Sequence, residues 1–508
     1  MDTSSYMEMN DVQGLVLRGY NFPSIRYIIL SINDIPGAQQ FCADLTSGTG
    51  KGGLQITTAE PWENMIKPEY CLNIGFTNSG MEKLIGANNC NVVSYWSGAL
   101  YDSFDSGAVA DATAMGDTGE SAPTNWWHNG GWIPKTPPSS DGSELHIQIT
   151  LFAHSPEDRK NYYEVLLDMI SKTASGPSVV PVYYQDSDPL TVDGNSDYVH
   201  FGYRDSLSQP RIDGVVWDEP AMKRLMGVSS IDDRPKVPVD RFVINKTADD
   251  YHAHPLLVNG TFAAFRLLYQ DEAAFTKFIN SDANTPAELM AAKMCGRWRD
   301  GTPLVVSPDK EDKSLGEPST KNFNFTNFDY LEASPNQQGN QDGDASGMKC
   351  PYAAHIRRAN PRDDFNVTDN NDNAKKHRIV RRASPYGPPY DPSEKEGIQR
   401  GLVGLFIGAV LDDQFRFVTS KWFEQGGFRN PDVSPNQSGV DPLFGPQSTD
   451  TIPGDSVFAY NGKEGYNSTS GMTRFIRTDG SLYLFLPSIT GLKSLSEGKI
   501  PAPLTTKG

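Results

Sequence analysis

The sequence predicts an α+β protein built by duplicating one domain with antiparallel sheets, and two observations carry that expectation. The first is length. A chain of 508 residues exceeds the ~250–300 residues at which a single hydrophobic core stops growing, so two domains are expected. The second is a recurring pattern: an apolar strand, one or two acidic or turn residues, then an amphipathic helix. Generic strand–helix alternation would also produce it, but the similar spacing in the two halves favours duplication.

The pattern first appears as a strand over 25–32, the turn Asn33-Asp34 and a helix near 36–45. It returns as a strand over 146–152 and a helix opening with Ser155, Pro156 and Asp158. A serine oxygen at the N-cap accepts an otherwise orphaned backbone N–H, and proline at the first helical position lacks only a donor that has no partner there. In the second half a strand over 262–269 leads into a helix over 271–279, and a strand over 402–411 into a helix over 412–423. A further helix over 285–298 begins with Thr285, Pro286 and Glu288, a capping box with proline at its start. The proline-rich polar stretch 218–255 separates the halves, which gives domains 1–240 and 241–508. Residues 307–349 and 362–376 read as polar loops.

Apolar residues make up 37% and charged residues 21%, a folded rather than disordered composition. The net charge of −18 repels phosphate backbones and argues against a nucleic-acid partner. It serves solubility, and it could also attract cations such as Mn²⁺. No run of apolar residues is long enough to span a membrane. The five cysteines, Cys42, Cys71, Cys90, Cys295 and Cys350, are odd in number and show no C-x-x-C spacing, so neither zinc nor a disulfide framework is indicated. The opening Met1-Asp2-Thr3-Ser4-Ser5 lacks the basic and apolar regions of a signal peptide.

Eight histidines bound the search for a site. His252 and His254 form an H-x-H that could bind metal, but no third ligand is near and a loop pair is the better reading. His128, among Trp126, Trp127 and Trp132, reads as structural. His355 stands in Cys350-Pro-Tyr-Ala-Ala-His355-Ile-Arg-Arg-Ala-Asn-Pro-Arg362, with small residues before it and arginines after. An iron-bound imidazole needs room for a flat macrocycle, and haem propionates need nearby cations. Chemistry alone leaves this open, since a lone histidine is more often a core or surface residue.

The segment CPYAAHIRRANPR (350–362) resembles the proximal-histidine segment of the dye-decolorizing peroxidase family, and HRIVRRASPYG (377–387) resembles its distal-arginine segment. DVQGLVLRGY (11–20), LNIGFTNSGMEKLIG (72–86), RGLVGLFIGAVLDDQFRFV (400–418), GVDPLFG (439–445) and SLYLFLPSITGL (481–492) resemble further family segments in the same order. The likeness is to the longer fungal members. It implies two ferredoxin-like domains, with haem b (iron protoporphyrin IX) in the C-terminal one. It also implies a secreted enzyme that uses H₂O₂ to oxidise dyes and aromatic or phenolic compounds through a Compound I-type oxo-ferryl intermediate; Mn²⁺ as a further substrate is expected from the acidic charge, and an acidic optimum from a carboxylate as the acid–base group.

Residue by residue, the resemblance makes His355 the proximal iron ligand and Asp441 the acceptor for its other ring nitrogen. Arg362 falls where the family pairs an arginine with a propionate, and Arg381 would be the distal arginine. Asp205, in Gly202-Tyr-Arg-Asp205-Ser206, matches the acid–base residue of the family's G-x-x-D-G motif. The last glycine of that motif is Ser206 here, which admits a second reading as a haem-binding protein with weak or no peroxidase turnover. Asp205 could also serve only as a turn residue. Leu405 and Phe406 are candidates for the pocket ceiling, or are simply core. Tyr386 and Trp422 sit where the family carries surface aromatics that pass electrons from bulky dyes.

Overall fold

The computed structural model describes residues 8–63, 66–128, 131–132, 138–139, 141–174, 176–192, 195–205, 207–213, 215, 236–245, 247–248, 251–316, 325–331, 343–364, 376–393, 397–424, 428, 439–445, 458–462, 465–469 and 472–502. The first half contains β1 (Ser24–Ile32), α1 (Ile35–Ser47), β2 (Tyr70–Phe76), β3 (Ile147–Ala153), α2 (Pro156–Asp168) and β4 (Val179–Ser187). Its strands lie side by side as β4-β1-β3-β2, every pair antiparallel. The second half contains β5 (Thr261–Gln270), α3 (Glu272–Ile279), β6 (Val380–Tyr386), β7 (Gly401–Gly408), a helical segment over 412–423 and β8 (Ile476–Leu486). Its order, β8-β5-β7-β6, repeats the first half strand for strand. Each half is therefore a β-α-β-β-α-β ferredoxin-like unit. The two meet where β8 touches β2 through Phe485 and Phe76.

Local chemistry places the helices. Asp34 caps α1 by accepting from the Gly37 N–H at 2.8 Å. Ser155 caps α2 through the Asp158 N–H, and Asp271 caps α3 through the Ala274 N–H. Each side-chain oxygen satisfies a donor that the helix leaves orphaned. β1 and β5 are buried along almost their whole length, as central strands covered on both sides should be.

Two elements differ from expectation. The helix expected over 285–298 is α4 (Ala287–Cys295), and no side chain caps it. The Thr285 hydroxyl meets the Tyr460 hydroxyl at 3.1 Å instead. It ends early because Gly296 adopts φ 91° as its left-handed cap. A Cβ there would also lie 2.5 Å from the Ile356 side chain, so glycine is required twice over. The segment 412–423 is wound wider than an α-helix, as π turns over Asp412–Arg416 and Val418–Phe423. Such turns are rare and concentrate at functional sites.

Candidate active site

His355 opens the five-residue helix α5 (His355–Ala359), directly after the fully buried Ala353 and Ala354. Arg357 fixes this helix. It is wholly buried and grips the Asp364 carboxylate through Nε at 2.7 Å and Nη2 at 2.8 Å. Its Nη1 reaches Asp344 Oδ2 at 3.0 Å and the Cys350 carbonyl at 2.7 Å. The guanidinium lies between the rings of Tyr330 and Tyr352, 4.3 and 4.5 Å from their centroids. Burial alone would push Arg357 down, but the charges and hydrogen bonds of Asp364 and Asp344 raise it above the ordinary arginine range.

Asp441 accepts from His355 Nδ1 at 2.8 Å through Oδ2. Its Oδ1 accepts from the Leu443 and Phe444 N–H groups, each at 2.9 Å. The carboxylate is wholly buried while the His355 side chain is 31% exposed. This bond assigns the ring proton to Nδ1 and leaves the Nε2 lone pair available. The Phe423 ring, 5.1 Å from the imidazole, packs against it.

A second group forms around the loop that carries Asp205. The Asp205 N–H donates to the Asp197 carbonyl at 2.8 Å, and the neighbouring Arg204 pairs with Asp197 at 3.0 Å. Arg381 on β6 approaches Asp205 Oδ1 to 3.7 Å. Its Nη2 donates to the Leu207 carbonyl, and its backbone exchanges two hydrogen bonds with the Gln209 side chain. Three further arginines converge on Ser208. Arg297 reaches its hydroxyl at 3.0 Å, Arg362 at a longer 3.4 Å, and Arg378 donates to its carbonyl at 2.8 Å. Ser208 and Arg362 both hold left-handed φ values, 60° and 53°. Non-glycine residues rarely adopt that region, and it clusters at functional sites. Burial pushes Arg297 down to about 10, and Arg362 and Arg381 press in the same direction.

These groups fit haem. An imidazole nitrogen with no described hydrogen bond stands beside small residues, and a cationic cluster suits two propionates. Arg362 links the two groups, because it follows His355 in sequence and reaches into the Asp205 loop. The structure thus brings His355 together with Asp441, and Asp205 with Arg381, while Arg362 reaches Ser208 three residues beyond Asp205. It separates Leu405 from Phe406. Phe406 pairs across the sheet with Arg381 and shares its face, whereas Leu405 is core on the other face. Ser206 lies outside the described residues.

The surface assignment of Tyr386 and Trp422 is corrected: they are 4% and 7% exposed. Tyr386 ends β6 inside the core, where burial raises its hydroxyl well above the ordinary tyrosine range. Trp422 is enclosed by Phe417, His377 and Phe428. The H-x-H pair also splits: His252 is exposed, and buried His254 accepts the Leu256 N–H. Burial pushes His254 down to about 4. Among the described residues no three His, Cys, Asp or Glu side chains are arranged to hold a free metal ion, and no helix is long and apolar enough to cross a membrane. Arg297, Arg378 and Ser208 were not singled out by sequence. The density of arginines in 297–299 and 378–382 was their only signal.

No profile of a known protein family matches the chain. It is 26% identical to Peroxidase 2 of Mycetinis scorodonius over 515 residues, covering 96% of this chain and 87% of that protein. It is likewise 26% identical to a dye-decolorizing peroxidase of Auricularia auricula-judae, covering 96% of this chain and 86% of that one. The crystal structure of a fungal DyP-type peroxidase from Auricularia auricula-judae superposes with a TM-score of 0.75 at 23% identity, covering 97% of this chain and all of that one. The chain is a relative of the fungal dye-decolorizing peroxidases along nearly its whole length, and it has their fold.

Proposed function

We propose that this protein is a haem peroxidase that uses H₂O₂ to oxidise dyes and phenolic compounds, with haem b held by Nε2 of His355. The observation that carries this reading is the buried Asp441 carboxylate bonded to Nδ1 of His355. That arrangement orients a histidine ligand and strengthens it as a donor. Arg362, with Arg297 and Arg378 beside it, would hold the propionates. Haem, when bound, would supply the iron that takes up the two oxidising equivalents of H₂O₂ and passes them to the substrate.

The remaining steps belong to the chain's own residues. Asp205 accepts the proton from one oxygen of H₂O₂ and delivers it to the other, so that water can leave. Arg381 supplies a fixed positive charge where negative charge develops as the O–O bond stretches. Phe406, beside Arg381, helps exclude water. A carboxylate serves such a proton shuttle best in acid, so an acidic optimum is expected.

The domain boundary falls near residue 240, ahead of β5. Secretion accords with the fungal resemblance and the net charge of −18. Mn²⁺ as a further substrate rests on that charge alone, and a Mn²⁺-dependent rate would be its support.

The test is oxidation of an anthraquinone dye and a methoxyphenol by the haem-loaded protein, with and without H₂O₂, between about pH 4 and about pH 8. The reading expects peroxide-dependent oxidation that is fastest at the acid end. Bound haem with no peroxide-dependent oxidation at any pH would contradict it.

A further inference from the structure

The hairpin over 197–205 carries Asp205 at its base. There the Asp205 N–H donates to the Asp197 carbonyl at 2.8 Å, Tyr198 and Arg204 form a β-bridge, and the Val199 N–H donates to the Tyr203 carbonyl at 2.9 Å. At the tip Phe201 holds a left-handed φ of 67°, a conformation that a non-glycine residue keeps only when its surroundings impose it. Glu272, the first residue of α3, imposes it: its Oε1 accepts the Phe201 N–H at 2.7 Å, and the Phe201 ring packs on Phe275 at 4.5 Å. His200, beside Phe201, is wholly buried. Its Nε2 donates to the Tyr386 carbonyl at 2.9 Å, and Tyr386 ends β6, the strand that carries Arg381. His200 therefore ties the Asp205 hairpin to the strand of Arg381, and Glu272 ties it to α3.

The other ring nitrogen of His200 is unanswered. Its Nδ1 stands 3.8 Å from Glu272 Oε2, the two side chains are 0% and 13% exposed, and neither atom has a hydrogen-bond partner among the described residues. A carbonyl only accepts, so the Tyr386 contact puts a proton on Nε2. A neutral His200 then turns the bare lone pair of Nδ1 towards a carboxylate oxygen. Two buried acceptors with no donor between them cost stability. One added proton removes the conflict, because either the imidazolium Nδ1–H donates to Oε2 or the protonated carboxyl donates to Nδ1, and the gap can close to hydrogen-bond length. Imidazole ordinarily changes charge between about pH 5 and about pH 8. The other charged side chains on the elements next to the pair are Asp271, Arg299 and Arg400. Asp271 is engaged as the cap of α3. Arg299 lies over the rings of Tyr203 and Phe275 and pairs with Glu288. Arg400 precedes Gly401, the β7 residue paired with Tyr386. Both arginines keep their charge throughout that range.

We propose that His200 is a positioning residue, and that a proton held between His200 and Glu272 latches the Asp205 hairpin, fixing Asp205 opposite Arg381 in acid and loosening it as pH rises. This inference rests on the haem-peroxidase reading of Asp205 and Arg381 and deepens it. The acidic optimum gains a second proton-dependent element, one that acts on the position of Asp205 and not on the proton transfer itself.

The test follows hydrogen–deuterium exchange of the hairpin over 197–205 in the haem-loaded full chain at about pH 5 and about pH 8, corrected for the intrinsic pH dependence of exchange, with β3 as the internal reference. In the parent, protection of the hairpin should fall roughly tenfold between the two conditions, the worth of about one hydrogen bond, while that of β3 stays level. Glu272→Gln keeps an acceptor for the Phe201 N–H and offers Nδ1 an amide donor that no pH removes, so its hairpin should stay protected at both. His200→Gln keeps a donor for the Tyr386 carbonyl but cannot take up the proton, so its hairpin should be equally weak at both. The pH profile of the reaction with peroxide is the second readout: Glu272→Gln should hold its rate further towards neutral pH than the parent. A merely structural role predicts that both variants loosen the hairpin and keep the parent's pH dependence. That result, or a parent hairpin equally protected at both pH values, overturns the proposal. A locked hairpin in Glu272→Gln with the parent's peroxide profile overturns its link to catalysis. Should His200→Gln not fold, the parent and Glu272→Gln still decide. A parent that takes up no haem, or whose haem ignores peroxide at every pH, removes the functional reading instead, and exchange of the hairpin still decides the latch.

Discussion

Asp205 Oδ1 and Arg381 Nη1 stand 3.7 Å apart, and both side chains are about a third exposed, 28% and 36%. A bonded carboxylate–guanidinium contact closes to about 2.7–2.9 Å. The gap leaves each group able to contact a third molecule as small as H₂O₂, while the Leu207 carbonyl and Gln209 keep Arg381 in place. Asp205→Asn is expected to slow the reaction with peroxide by about 10²–10⁴-fold, the usual worth of a positioned acid–base group, and to leave haem binding intact. Stopped-flow absorbance after mixing with H₂O₂ measures this. An unchanged rate would reduce Asp205 to a turn residue. Arg381→Leu should also slow the step, and should slow it at every pH, since it removes a fixed charge.

Asp441 is bonded to His355 and to two backbone N–H groups. Asp441→Asn keeps the shape but removes the charge, so His355 becomes a weaker donor and the midpoint potential should rise. Loss of such an outer partner typically costs about 10–100-fold in affinity or activity. Potentiometry and haem titration check both effects.

Glu424 provides a pH signature for stability. Its folded value of about 8 lies above the ordinary 4.5. A group raised in this way contributes stability that is fully present below about 4.5 and lost as pH rises through about 8. At ~1.36 kcal/mol per pKa unit, the loss is bounded at roughly 4–5 kcal/mol. Partial solvent contact reduces it. Gly116, at φ 70°, admits this carboxyl, since a Cβ there would lie 2.1 Å from Glu424 Oε1. Glu424→Gln should therefore be more stable than the parent at alkaline pH, with the difference shrinking towards acid. Denaturant melts across pH read this directly, and parallel curves would refute it.

Arg357 ties α5 to Asp344 and Asp364 in a site sealed from water. Removing one partner of a buried ion pair typically costs about 3–5 kcal/mol. Arg357→Met should lose about that much, because two buried carboxylates are left without their cation, and it should bind haem poorly. Thermal melts of the haem-free chain separate the first effect from the second.

The repeated strand–turn–helix pattern disclosed the duplication because each half buries its strands through the same local periodicity. Caps such as Ser155 and Asp271 were legible because capping acts within three residues. His355, Asp441, Arg381 and Asp205 were reachable through short segments that resemble a known family. The meeting of Arg297, Arg362 and Arg378 at Ser208 was not, since those residues lie up to 170 positions from it. Tyr386 and Trp422 were misplaced at the surface because aromatic residues look alike in sequence whether buried or exposed. Only the register of β6 on β7 and the packing around Phe417 decide the matter. The same alternation separates Phe406 from Leu405, which sequence had treated together.

The most direct test of the central claim is the absorption spectrum of the haem-loaded protein before and after one equivalent of H₂O₂ at acid pH, beside a His355→Ala control. The account predicts a Soret band that depends on His355 and changes within seconds of adding peroxide. A Soret band that is indifferent to His355, or one that peroxide leaves unchanged, would contradict it.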